Sequence, residues 1–271
     1  MQYIPPEIVN HELNHTTQAV LICASWGLTA IFFVIAVRMG IRERTPFYPL
    51  MIVAAMLGAF AEPLYDVATA LYFYSTEGMV THFESFGTPQ PIWTHSGYAV
   101  LYASAAIVIA HRLYHGIMTR QALYKLAGAG FVMSCIFEMY GINGNAYSYY
   151  GPHVLRILNY PFAIAILETA QIILFAVAAT ILRKRVSNAY QLVGLLALFP
   201  VTFYGTNFGA GWPMIISLHL PNPQPGVVAV ATVLSICLAL VLIRGACSFV
   251  PKTLAAEASE PAEQRIPAVA S

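Results

Sequence analysis

Four acids stand inside long apolar stretches of the chain: Glu62, Asp66, Glu138 and Glu168. No Lys or Arg occupies the middle of any such stretch, so apart from the reach of Arg156 the four have no obvious basic partner. An ionisable group in such surroundings is costly and points to function. The chemistry open to it is proton transfer. Burial favours the protonated form of a carboxyl group, two close acids share protons and titrate as a pair, and tuned carboxyls serve as general acids and bases. Glu62 and Asp66 are spaced i, i+4 and share one helix face. Pro63, between them, has no N–H for the carbonyl of Ala59 and its ring crowds that carbonyl, which predicts a kinked helix.

The elements that must carry these acids follow from composition. Of 271 residues, 58% are hydrophobic and 9% charged, with a mean hydropathy of +0.67 and a net charge of +1. A soluble domain carries about 25% charged residues. The numbers exclude a soluble enzyme, a disordered chain and a nucleic-acid binder, which would need a basic face. The fold class expected is all-α: a polytopic membrane protein, a seven-transmembrane-helix bundle. A membrane helix needs about 20 mostly apolar residues, and seven stretches qualify: 20–39, 47–74, 92–113, 122–142, 162–182, 191–210 and 227–243. Their continuous apolar character argues against outer-membrane strands. Twelve of the thirteen basic residues fall on alternate connections, Arg156 being the exception. By the positive-inside rule the N-terminus lies outside and the C-terminus inside. The organisation read from this is an outer segment 1–19, a membrane domain 20–250 and a disordered cytoplasmic tail 251–271. The N-terminus lacks the basic n-region and early apolar core of a cleaved signal peptide. The four cysteines read as small apolar fillers. The lipid bilayer is the expected partner, in the plasma membrane of a bacterium or the endoplasmic reticulum or plasma membrane of a eukaryote.

This orientation sets depth. At about 1.5 Å per residue, Glu62, Asp66, Glu138 and Glu168 fall between the midplane and the outer face, with His95, Tyr204 and Asn207 at similar depth. The inner halves of the helices are plain by comparison. Two outer connections, 75–91 and 139–161, adjoin this zone, the second dense in Tyr, Asn and Gly. Its tyrosines read either as an interfacial aromatic belt or as a lid over an outer pocket, their faces available to a cation. Tyr65, Trp93, His95, Tyr140, Asn143, Asn145, Tyr160, Tyr204 and Asn207 are the candidate substrate-binding residues.

Other motifs lead elsewhere. His11-Glu12-Leu13-Asn14-His15 matches the H-E-x-x-H zinc-protease signature, but too few residues precede the first span for a catalytic domain, so it reads as a chance match. His111 and His115 form an H-x-x-x-H pair on the opposite membrane side, read as lying at the inner headgroup level, and the two pairs cannot share a di-iron cluster. A retinal-type photoreceptor needs a Lys within a span, and there is none. A magnesium–diphosphate enzyme needs clustered Asp, and Asp66 is the single one. No metal and no cofactor is expected.

The block from Glu138 onward, Glu-Met-Tyr-Gly-Ile-Asn-Gly-Asn-Ala-Tyr-Ser-Tyr-Tyr-Gly-Pro, followed by Tyr160-Pro161, resembles a block in small multi-span isoprenoid-modifying proteins, the carotenoid hydratases and membrane-bound terpene cyclases. It covers about 25 residues and departs after Pro161, where Glu168 replaces an apolar or aromatic residue. The resemblance implies a membrane enzyme that cyclises or hydrates an isoprenoid. Such chemistry needs an acid to protonate an alkene or epoxide, an apolar cavity, π faces or carboxylates for the carbocation, and a base. On that expectation Glu62 or Asp66 is the acid, Glu138 and Glu168 position it or act as base, and Tyr65, Trp93 and the tyrosines of 140–150 line the cavity. A proton- or cation-coupled transporter and a seven-helix receptor are the alternative readings.

Overall fold

The computed structural model describes residues 4–76 and 78–252, so most of the expected tail lies outside the described residues. Seven helices are long and apolar enough to cross a membrane: α1 (His15–Glu43), α2 (Phe47–Thr69), α3 (Trp93–Tyr114), α4 (Arg120–Asn143), α5 (Ala163–Arg185), α6 (Ala189–Leu218) and α7 (Pro225–Ser248). Local chemistry sets several of their starts. The Asn14 side chain accepts from the N–H groups of Thr16 and Thr17, Thr119 caps α4 through the Ala122 N–H, and Asn188 caps α6 through the Gln191 N–H, each satisfying a donor that the first turn leaves open. Pro225 opens α7, where its missing N–H costs nothing.

α5 is the central helix, the most buried of the seven, and packs against α3, α4, α6 and α7. α2 packs on α6, and α1 lies outside against α2 and α3. The exterior is apolar, with Ile31, Val34, Ile41, Val132, Ile136, Val230 and Val241 all exposed. A soluble monomer rarely tolerates so much exposed apolar surface, whereas lipid suits it.

The chain is mostly helical rather than all-α. Among the described residues six short strands form three antiparallel pairs: β1 (Leu71–Phe73) with β4 (Tyr147–Tyr149), β2 (Thr81–Ser85) with β3 (Thr88–Pro91), and β5 (Arg156–Ile157) with β6 (Tyr160–Pro161). The stretch 47–74 is therefore not one helix. It ends at Thr69, Ala70 turns the backbone at φ 53°, and the next three residues pair with β4. Apolar continuity alone could not separate these states, because a buried strand and a buried helix end are equally greasy. The break in α2 also falls earlier than Pro63. Ala59–Ala61 tightens into a 3₁₀ turn, and Pro63 sits in the first turn of the segment Glu62–Thr69, a position where proline is tolerated.

All six strands lie at one end of the bundle, where Asn14 bonds to Asn145, Gln18 to Gly78 and Val80, and His219 to Val67. The opposite end carries the basic residues that alternate along the chain, with Arg183 beside Glu43 and Arg120 beside Cys247 and Ser248.

Candidate active site

A pocket lies near the strand-bearing end, and three of the four acids line it: Glu62 from α2, Glu138 from α4 and Glu168 from α5. Each is at most 8% exposed. The rest of the wall is largely aromatic: Tyr65, Phe73, Trp93, Tyr98, Tyr102, Phe137, Tyr147 and Tyr149. Its free space is about 40 Å³, room for a few waters. Leu101 and Phe137, the two half-buried lining residues, lie on the flank between α3 and α4, where the helices pack loosely.

Each acid is held by hydroxyl groups. Glu168 receives three: Tyr102 donates to Oε1 at 2.7 Å, Ser134 donates to Oε2, and Tyr160 donates to the same oxygen at 3.4 Å. Tyr98 donates to Glu62 Oε2, and Tyr149 to Glu138 Oε2 at 3.4 Å. Among the described residues no ion pair reaches any of the four acids. Arg156 turns away and donates to the carbonyls of Gly151, His153 and Asn159.

Local backbone irregularities set these contacts. α3 contains a π-turn at Ala99–Ala103, which follows Tyr98 and includes Tyr102; the two rings meet edge-on at 4.9 Å. The wider turn places both hydroxyls on acids of different helices; single π-turns of this kind gather at functional sites. On α4, Gly141 lets the Tyr147 ring fold against the helix, since a Cβ there would lie 2.3 Å from that ring. The Phe203 ring backs Tyr65, Tyr98 and Tyr102. Burial, reinforced by Glu138, pushes the Tyr147 and Tyr149 phenols well above their ordinary range, so both stay neutral O–H groups at any ordinary pH. Beneath Tyr149, His153 is buried with Nε2 2.8 Å from the Thr69 carbonyl, and burial pushes its imidazole down to about 3.

The remaining sequence candidates lie elsewhere. Asp66 is fully buried but does not line the pocket: Gln90 of β3 donates to Oδ2 at 2.5 Å, and Oδ1 has no partner. The i, i+4 spacing from Glu62 does not bring the two to one cavity, because the strand cover closes over Asp66. Tyr160 is fully buried and stands behind Glu168. His95 bonds to the Met56 carbonyl and to His82. Asn143 ties the connection 139–161 to the Met139 and Leu158 carbonyls, Asn145 takes a turn conformation at φ 57°, and Tyr140 is exposed. Tyr204 packs against Phe203 and Phe208, and Asn207 bonds back to the Phe203 carbonyl. None of these last five reaches the pocket wall. Sequence reasoning missed Tyr98, Tyr102, Ser134 and Phe137. The i, i+4 pair Tyr98 and Tyr102 inside an apolar stretch was the available signal.

The pocket acids do not form a metal-binding group among the described residues; neither do His11, Glu12 and His15, of which His11 stacks on Tyr74. The donors that converge are Glu43, His111 and His115, at the other end. Comparison with family models, with curated proteins and with solved structures returns no match.

Proposed function

We propose that the chain is an integral membrane enzyme that acts on a lipophilic, isoprenoid-type substrate by carboxyl acid–base chemistry, in a pocket at the outer, strand-bearing end of a membrane-spanning bundle whose basic end faces the cytoplasm. The observation that carries the reading is the pairing of three buried carboxyl groups, none with a basic partner, with a wall of aromatic rings. Aromatic faces stabilise a developing cation, and the acids can deliver and remove its proton.

Roles follow from the donors. Three hydroxyls converge on Glu168, which suits a carboxylate that stabilises the cation and takes a proton back. Glu62 and Glu138 receive one each, which suits proton donors, and Glu62 is assigned as the acid. Its proton adds to an alkene carbon, the π pair forms the new C–H bond, and the cation left behind cyclises or takes up water. Loss of a proton to Glu168 ends the reaction, and passage of that proton from Glu168 back to Glu62 restores the starting state. The free space is too small for an isoprenoid chain, so Leu101 and Phe137 must swing aside, and they lie where access from the bilayer would be sideways.

The test is mass spectrometry of lipid extracts from cells expressing the wild type or Glu62→Gln. An isoprenoid formed or consumed by the wild type and restored to background by the variant supports the reading. A wild type that changes no isoprenoid overturns it. Proton-coupled solute uptake abolished by the same substitution would assign the pocket to transport.

A further inference from the structure

We propose that Glu43, His111 and His115 form a site for a first-row divalent metal ion such as Zn²⁺ at the basic end of the bundle. It shares no residue with the pocket above and does not depend on that reading. Glu43 is the last residue of α1, and His111 and His115 lie one turn apart at the end of α3. Their donor atoms all fall within 4.8 Å of one another. Glu43 Oε1 lies 3.2 Å from His111 Nδ1 and 3.1 Å from His115 Nε2. A tetrahedral ion with bonds of about 2.0–2.1 Å has ligand–ligand edges of about 3.3 Å, so two edges of the polyhedron are nearly in place. Two imidazoles and one carboxylate are a donor set that first-row divalent ions accept.

The surroundings are those of a built site. Arg183 Nη2 holds the other carboxylate oxygen, Oε2, at 2.5 Å, and the Tyr48 hydroxyl lies 2.8 Å from both Glu43 oxygens and 2.9 Å from His111 Nδ1. Tyr48 in turn accepts from Arg183 Nη1 at 2.8 Å. The Arg183 contact to the non-ligating oxygen is of the kind that aims a ligand in metal centres, and the Tyr48 hydroxyl, now also against Oε1 and Nδ1, keeps Oε2 as its acceptor when an ion takes those two atoms. A fourth position opens on a cavity of about 540 Å³ lined by Met39, Arg42 and the three donors. An ion bound there keeps an exchangeable ligand, and Arg42 favours an anionic one.

The experiment uses the detergent-purified full chain, stripped with chelator and titrated with Zn²⁺ by calorimetry and with Co²⁺ by visible absorption. One equivalent bound, with the intense visible bands of four-coordinate Co²⁺, is expected. His115→Gln and Glu43→Gln should each weaken binding by at least about tenfold, while the double variant His11→Gln/His15→Gln leaves the titration unchanged. If Glu43→Gln unfolds because Arg183 loses its counter-ion, His115→Gln, whose side chain is 40% exposed, still decides the matter. No stoichiometric binding by the wild type, binding indifferent to His115→Gln, or binding lost only in the His11/His15 variant would each overturn the proposal.

Discussion

Glu43 and Glu168 are the same side chain in two opposed settings. At the basic end Glu43 faces the Arg183 guanidinium, two imidazoles and the Tyr48 hydroxyl. At the strand-bearing end Glu168 faces only the hydroxyls of Ser134, Tyr102 and Tyr160. Arg183 also stacks its guanidinium 3.7 Å from the Tyr114 ring centre and 4.8 Å from that of Phe47. A cation partner commits Glu43 to its charge and makes it a clamp between α1, α2, α3 and α5. A hydroxyl donates to Glu168 as a carboxylate and can turn to accept from it as an acid, so with no fixed positive charge beside it Glu168 stays able to take up a proton, as its proposed role requires. The contrast also gives a reason for the missing ion pairs at the pocket acids among the described residues: a cation beside them would hold them ionised.

The largest expected effect tests the pocket side. Glu62→Gln keeps an acceptor for Tyr98 but has no proton to give, so if the proposed function holds, turnover of the proposed isoprenoid-type substrate should fall by about 10²–10⁴-fold. Turnover within a few-fold of wild type would remove Glu62 from the acid's role. Next comes the clamp. Arg183→Met keeps much of the packing but strands Glu43, and should lower unfolding stability by up to about 3 kcal/mol, the lower edge of the range for a buried pair because Glu43 is partly exposed. A chemical-denaturation midpoint equal to wild type would show the clamp to be idle.

The third concerns pH. His153 is held near 3 in the fold against an ordinary 6.5, so the unfolded chain binds the extra proton between those values. Stability is therefore complete above pH 6.5 and lost as pH falls below it, by roughly 2 kcal/mol between pH 6.5 and 5. His82, pushed down to about 4 mainly by burial, adds in the same direction. His153→Gln should flatten the decline of melting temperature over that interval, and an unchanged slope would refute the assignment. The smallest effect is expected for the stability of Glu168→Gln. An amide still accepts hydroxyl donors, so the loss should stay below about 1 kcal/mol, unlike Arg183→Met. A larger loss would mean that Glu168 anchors the fold, as Glu43 does.

Legibility in the sequence divided along the same line. The helices were readable because apolar length is a local property, although the starts read at 20, 122 and 227 fall inside the observed starts at His15, Arg120 and Pro225, where the polar or proline caps precede the apolar run. Five of the thirteen residues singled out line the pocket, Glu62, Tyr65, Trp93, Glu138 and Glu168, because a buried acid is rare enough to stand out alone. Tyr98 and Tyr102 did not stand out, since a tyrosine in a span is ordinary and its aim depends on a π-turn that leaves no compositional trace. The separation of Asp66 from Glu62 was likewise hidden, because it depends on where the hairpin of β2 and β3 sets Gln90.

What the sequence determined by itself is the count of long apolar helices, the alternation of basic connections and the identity of the buried acids, since each follows from residue type and spacing along one dimension. Tertiary structure decided which acids share a cavity, which tyrosines hold them, and that Glu43 meets His111 and His115 from 68 and 72 residues away. Those relations depend on helix rotation, on the break at Ala59–Ala61 and on strand pairing at one end. Each is set by the sum of many weak packing contacts rather than by any local signal.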